Sequence, residues 1–126
     1  MIKHLKTAGG YALILAAGLA VGVAVAKAPA LFKKDHVQGD YSAYLKQHNT
    51  QVALYGTASC PYCAKARVYF RQHGIAFVDL DVGTPGPARE EFAKLGGVGV
   101  PLLLIGDRRI DGFVPKAIEA ALKARQ

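Results

Sequence analysis

Cysteine is scarce in this chain: two in 126 residues, at positions 60 and 63. A disulfide-stapled scaffold needs more, and a pair this close in sequence closes no long loop. A structural zinc site needs four ligands, usually a second cysteine pair or paired histidines. There is no third cysteine, and His4, His36, His48 and His73 lie scattered without ligand spacing, so no metal site is expected and the histidines are read as solvated or packing residues. Acidic residues are also few, nine against sixteen Lys and Arg, a formal net charge of +7. The excess is uneven. Residues 1–35 hold five lysines and one aspartate, whereas residues 36–126 hold eleven basic and eight acidic residues. The larger part is only mildly basic and has no basic stripe interleaved with aromatics, which excludes nucleic acid as an expected partner. The length is that of one domain with a short appendage.

Charge of either sign is missing from Thr7 to Ala26, TAGGYALILAAGLAVGVAVA. Twenty residues of helix span about 30 Å, the thickness of a bilayer core, and a helix satisfies its own backbone there. The expectation is a single-pass membrane protein with an N-terminal transmembrane helix at residues 7–26. The competing reading is a signal peptide, with Lys3 and Lys6 as the basic start, residues 11–23 as the apolar stretch and Ala24-Val25-Ala26 as the cleavage site. Lys3 and Lys6 on one side balance Lys27, Lys33 and Lys34 on the other. The charge rule therefore leaves the side of the membrane open, a periplasmic domain being one of the two outcomes. Gly18 and Gly22 form a GxxxG, which a segment this rich in Gly and Ala produces by composition alone.

Three parts are expected: residues 1–30 as anchor or signal peptide, 31–49 as a linker with a short helix capped by Asp40, and 50–126 as the domain. On the short helix Tyr41, Tyr44, Leu45 and His48 share one face, which is read as packing against the domain. From Gln51 the pattern is regular. Gln51–Tyr55 reads as a strand, Pro61–His73 as a helix stopped by Gly74, and Ala76–Val82 as an alternating strand. Thr84-Pro85-Gly86-Pro87 opens a helix over Ala88–Leu95. Leu102–Ile105 and Arg108–Ile110 form a hairpin about Gly106-Asp107, and a last helix begins at Val114 or Pro115 and ends near Ala124. The order is β-α-β-α-β-β-α. Its strand-helix-strand crossover requires parallel neighbours, and the hairpin adds antiparallel ones. The expected product is an α/β, three-layer fold with a four-stranded mixed sheet.

Cys60-Pro61-Tyr62-Cys63 stands where the first strand of this pattern gives way to its helix. The first helical turn leaves N–H groups unpaired and carries partial positive charge, which favours a thiolate. Thiolate is the nucleophile of disulfide exchange. Pro61 suits the first helical position, where its missing N–H is not needed. Cys63, one turn on, is placed to attack a mixed disulfide formed at Cys60. Lys65 and Arg67 have two readings, as added positive field near the cysteines and, more simply, as solvated helix charges. Val100-Pro101 opens an apolar strand, where a proline removes a ladder donor. A cis bond there is expected, with the Val100 backbone open to an extended substrate.

Residues 50–124 resemble the glutaredoxins, a family with the thioredoxin-like fold. The likeness rests on Tyr55-Gly-Thr-Ala-Ser-Cys60-Pro-Tyr-Cys63, on Gly99-Val100-Pro101 in place of the family's T-V-P, and on Asp111-Gly112-Phe113 where the family has a Gly-Gly turn. The resemblance implies thiol–disulfide oxidoreductase activity, with Cys60 the nucleophile and Cys63 the resolving thiol. It also implies that Tyr62, Val100 and Pro101 line a groove for glutathione, the co-substrate, with no tightly bound cofactor. Disulfide-containing proteins are the other implied partners. Two positions depart from the family. Thr57 stands where a basic residue meets the glycine carboxylate of glutathione, and Val114 and Pro115 stand where an aspartate meets the γ-glutamyl end. Arg108, Arg109 and Lys116 are the candidates for a substitute carboxylate partner, although Arg108 and Arg109 read more simply as exposed hairpin charges. Gly112-Phe113-x-Pro115 resembles the NrdH-type redoxins, which take electrons from thioredoxin reductase. An iron–sulfur cluster carrier is a further alternative. The relatives that bridge clusters typically lack the second cysteine and the proline, both of which are present here.

Overall fold

The computed structural model describes residues 9–19 and 34–126. The chain divides into two compact units, residues 1–34 and 35–126. In the first, residues 9–19 form a helix, α1, with every side chain exposed. Among the described residues no helix is long and apolar enough to cross a membrane. Of the anchor expected at residues 7–26, residues 7, 8 and 20–26 lie outside the described residues.

The second unit runs β1 (Val37–Gln38), α2 (Ser42–Gln47), β2 (Val52–Gly56), α3 (Pro61–Gln72), β3 (Val78–Asp81), α4 (Pro87–Lys94), β4 (Leu102–Ile105), β5 (Arg108–Asp111) and α5 (Pro115–Ala124). The strands form one mixed sheet in the order β1-β5-β4-β2-β3. Only β2 and β3 are parallel, with Ala53 opposite Val78 and Gly56 opposite Asp81. β4 lies antiparallel to β2, Tyr55 facing Leu102, and to β5, Leu103 facing Ile110.

The alternation of β2 sorts its side chains onto two faces. Val52 and Leu54 meet Ala66 and Phe70 of α3, and Ala117, Ile118 and Ala121 of α5, all buried. Ala53 and Tyr55 meet Leu45 of α2, Val82, Leu95 and Leu104 on the other face, with Phe92 of α4 against them. Both central strands are therefore buried on both sides, as their unbroken apolar runs require. The expected three-layer, thioredoxin-like arrangement is present.

The sheet has five strands, not the four expected. The extra one is β1, which pairs antiparallel with β5 through Val37–Arg109 and Gln38–Arg108, inside the stretch read as a linker. Two residues with exposed side chains carry no alternating pattern. What holds them is the open edge of β5, reinforced by Gly39 N donating to Asp107 O at 2.9 Å and Gln38 Nε2 to Asp107 Oδ2 at 2.7 Å. A short strand of this kind covers an edge that would otherwise be free to pair. Asp40 acts one position earlier than expected. Tyr41 is the N-cap of α2, and Asp40 Oδ1 accepts from the Ser42 N–H at 3.0 Å.

Candidate active site

The end of β2 and the start of α3 set the site. Gly56 closes β2, and its lack of a side chain is needed. A Cβ at this position would lie 2.9 Å from Cys63 Sγ and from a Leu54 methyl carbon. Cys60 is the N-cap of α3, extended at φ −83° and ψ 115°, and Pro61 occupies the first turn. The Cys63 N–H donates to Cys60 Sγ at 3.1 Å, so an unpaired amide of the helix start is aimed at the first sulfur. Cys60 Sγ lies 3.7 Å from the Val100 carbonyl oxygen, within reach of a weak S–H donation.

The two sulfurs differ in access. Cys60 is half-buried, whereas Cys63 is fully buried. Burial, followed by hydrogen bonding to Cys60, pushes the Cys63 thiol up to about 11; the Thr57 backbone and the Arg67 charge oppose that rise. The pair thus consists of an accessible sulfur at a helix start and an enclosed one held as a thiol.

The Val100–Pro101 bond is cis, as the strand-opening proline suggested. Pro101 is buried and Val100 half-buried, immediately before the start of β4. Tyr62 is 58% exposed beside Cys60, and Lys65 Nζ lies 5.0 Å from the centre of its ring. Tyr62, Cys60, Val100 and Pro101 are therefore brought to one end of the sheet.

Arg67 departs from expectation. It is not a solvated charge: its side chain is only 16% exposed and forms a fork on Asp79 of β3, Nε to Oδ2 at 2.7 Å and Nη2 to Oδ1 at 3.2 Å. Its Nη1 donates to the Thr57 carbonyl oxygen at 3.3 Å. The Asp79 partnership was hidden because it joins residues of different elements.

Arg108 and Arg109 are half-buried, unlike free hairpin charges. Arg109 donates to Leu95 O at 2.6 Å and pairs with Asp111 at 3.0 Å, and Arg108 lies 3.9 Å from Asp107. Both are opposite Leu104 and Ile105, toward the end of β4 remote from Pro101. Phe113 sits edge-on to Tyr69, ring centres 6.0 Å apart, while Val114 is the N-cap of α5 with Pro115 in its first turn.

One buried polar cluster had no sequence signal. The Glu91 carboxylate accepts from Tyr55 OH at 2.9 Å and Gln47 Nε2 at 2.7 Å, and lies 2.9 Å from His48 Nε2. His48, read as incidental, thus has its Nε2 engaged by the Glu91 carboxylate. The cluster joins α2, β2 and α4 on the face opposite α3.

Comparison with known proteins agrees with this arrangement. Residues 52–110 match the glutaredoxin family model. An uncharacterized glutaredoxin-like 8.6 kDa protein of the rubredoxin operon of Clostridium pasteurianum is 33% identical over 73 residues, which cover 57% of this chain and 97% of that one. The glutaredoxin of Pseudomonas aeruginosa is 34% identical over 62 residues, covering 48% of this chain and 74% of that one. Among solved structures, the glutaredoxin of Archaeoglobus fulgidus has the same fold, with a TM-score of 0.55 at 20% identity over 68% of this chain and 98% of its own. The dithiol at a helix start, the cis proline facing it and these likenesses have one reading: the chain belongs to the glutaredoxin family.

Proposed function

We propose that this protein is a membrane-tethered thiol–disulfide oxidoreductase that reduces protein disulfides or glutathione mixed disulfides through Cys60 and Cys63. The observation that carries this reading is the asymmetry of the two sulfurs: one accessible and facing a helix-start amide, the other buried with its thiol raised to about 11. On this reading the Cys60 thiolate attacks a substrate disulfide. A bond forms to Cys60 Sγ, the substrate S–S bond breaks, and the leaving sulfur departs with the electron pair. Cys63 then loses its proton, which the departing substrate thiolate takes up, and attacks Cys60 Sγ. The second substrate thiolate leaves, the substrate is reduced by two electrons, and Cys60 and Cys63 are joined. Two molecules of glutathione, as co-substrate, supply the two electrons that restore the dithiol: the first thiolate attacks the Cys60–Cys63 bond to form a mixed disulfide, and the second attacks that and leaves as glutathione disulfide.

Tyr62, Val100 and Pro101 form the groove for glutathione or an extended peptide on this proposal. Thr57 offers no cation, and Val114 and Pro115 offer no carboxylate, so the groove holds glutathione through backbone contacts and binds it weakly. The same substitutions favour a second reading, in which thioredoxin reductase is the donor, as in the NrdH-type redoxins that Gly112-Phe113-x-Pro115 resembles. Assays coupled to each reductase separate the two. Residues 7–26 supply the tether.

The test of the chemistry is a pair of substitutions. Cys60→Ser abolishes reduction of a protein disulfide, and Cys63→Ser accumulates a mixed disulfide at Cys60 that mass spectrometry detects. A Cys60→Ser protein that retains activity rejects the assignment.

A further inference from the structure

Arg67 makes and breaks no bond in the exchange, yet its placement is specific. It follows Cys60 by seven residues and Cys63 by four, so all three project from one side of α3. An exposed ion pair needs only its partner and contributes little. Here the guanidinium is largely buried, uses two nitrogens on Asp79 and directs a third to the Thr57 carbonyl oxygen. Thr57 follows Gly56, the residue against which the Cys63 sulfur is packed. One side chain therefore ties β3, the loop after β2 and α3 together around the resolving thiol. The ionisable groups facing Cys63 are Cys60 and Arg67, both on α3; β2 and its loop present the backbone of Gly56 and Thr57.

We propose that Arg67 is a positioning residue for the resolving step: pinned by Asp79, it holds the Thr57 segment against Cys63 and keeps a fixed positive charge where the Cys63 thiolate forms. The proposal rests on the dithiol reading of the site. Cys63 is enclosed, and its thiolate has no water shell to stabilise it. The Thr57 backbone and, more weakly, the nearby Arg67 charge favour the thiolate in its place. Asp79 fixes the fork and prevents the guanidinium from turning to solvent.

The test follows the reaction of the reduced, full-length protein in mild detergent with a nitrobenzoate aryl disulfide, whose released thiolate is coloured. Cys60 attacks first, forming a mixed disulfide and releasing one aryl thiolate. Cys63 attacks second, forming the Cys60–Cys63 bond and releasing the other. Arg67→Gln is expected to leave the first release within about twofold of wild type and to slow the second. Each unit of rise in the Cys63 pKa removes thiolate about tenfold at neutral pH, and the greater nucleophilicity of the more basic sulfur offsets part of it, leaving about threefold per unit. The deficit closes as pH approaches the thiol's own range. Arg67→Lys, which keeps the charge but not the fork, recovers part of the rate. Asp79→Asn, which keeps Arg67 but loosens it, slows the second release in the same direction and stands in if Arg67→Gln does not fold. An unchanged second release, equal slowing of both releases, or a deficit independent of pH would overturn the proposal. Failure of the dithiol reading itself looks different: wild-type protein would release no second aryl thiolate.

Discussion

Burial of a single sulfur couples folding to pH. The Cys63 thiol is raised from 9.0 to about 11, chiefly by burial. Between those values the folded protein keeps a proton that the unfolded chain has lost. Stability from this group is therefore fully present below pH 9 and falls as pH rises from 9 to 11. The expected loss is on the order of 2 kcal/mol. Urea unfolding of the reduced protein across this range should show the decline, and Cys63→Ala should remove it; identical slopes in the two proteins would reject the buried-thiol account. At Thr57 the expectation concerns affinity. Its side chain supplies no charge for a glycine carboxylate, while Val100, at the sulfur, remains available for backbone contacts. Weak glutathione binding should appear as a raised KM with kcat little changed, because the missing contact is remote from the reacting sulfur. Thr57→Lys should recover about 1 kcal/mol, roughly fivefold in KM. Measurement of glutathione-dependent reduction of a small mixed disulfide, wild type beside the variant, checks this; a wild-type KM already low and unmoved by the substitution counts against it.

Elements were legible wherever their pattern was local. Leu102–Ile105 is four consecutive apolar residues and is a fully buried strand. Pro61 and Gly74 bracket α3 for the reasons that govern helix ends, and Gly74 has the left-handed φ of 63° that its position calls for. The cysteine pair and the proline of the site were legible too, since their chemistry depends on where strand and helix meet. What could not be read was pairing at a distance. β1 is too short to show a period and exists because β5 has an edge. Arg67 finds Asp79 across twelve residues, and Glu91 finds Tyr55 across thirty-six. The Glu91 cluster is the polar tie between α2, β2 and α4. Removing its acceptor by Glu91→Ala leaves the buried Tyr55 hydroxyl and the His48 and Gln47 donors unpaired, and should destabilise the domain by about 2–4 kcal/mol. Glu91→Gln, which still accepts from Tyr55, should lose less. Chemical denaturation measures both. The alkylation rate of Cys60 in the folded variants should stay at the wild-type value, because the cluster lies on the far face of the sheet; a changed rate would mean that the two faces are coupled.

At the scale of the whole molecule, residues 7–26 bear on where this glutaredoxin-family domain works. A thiol–disulfide enzyme held at a bilayer meets its substrates along a surface instead of in bulk, and its reducing role depends on the compartment it faces. The sequence argues for a tether because twenty consecutive residues lack charge and are flanked by lysines on both sides. Twenty residues of helix would match a bilayer core. The two cysteines and Pro101 all lie within residues 35–126, the second compact unit. Two outcomes follow together. The full-length protein should sediment with membranes and resist extraction by high salt and by alkaline carbonate, which strip peripheral proteins. A chain beginning at Asp35 should remain in the soluble fraction with the same rate of aryl-disulfide reduction. A membrane-impermeant thiol reagent applied to intact cells then gives the side, since labelling of Cys60 without lysis places the domain outside. Release of the full-length protein by salt alone rejects the tether, and a mature N-terminus at Lys27 replaces it with a cleaved signal peptide.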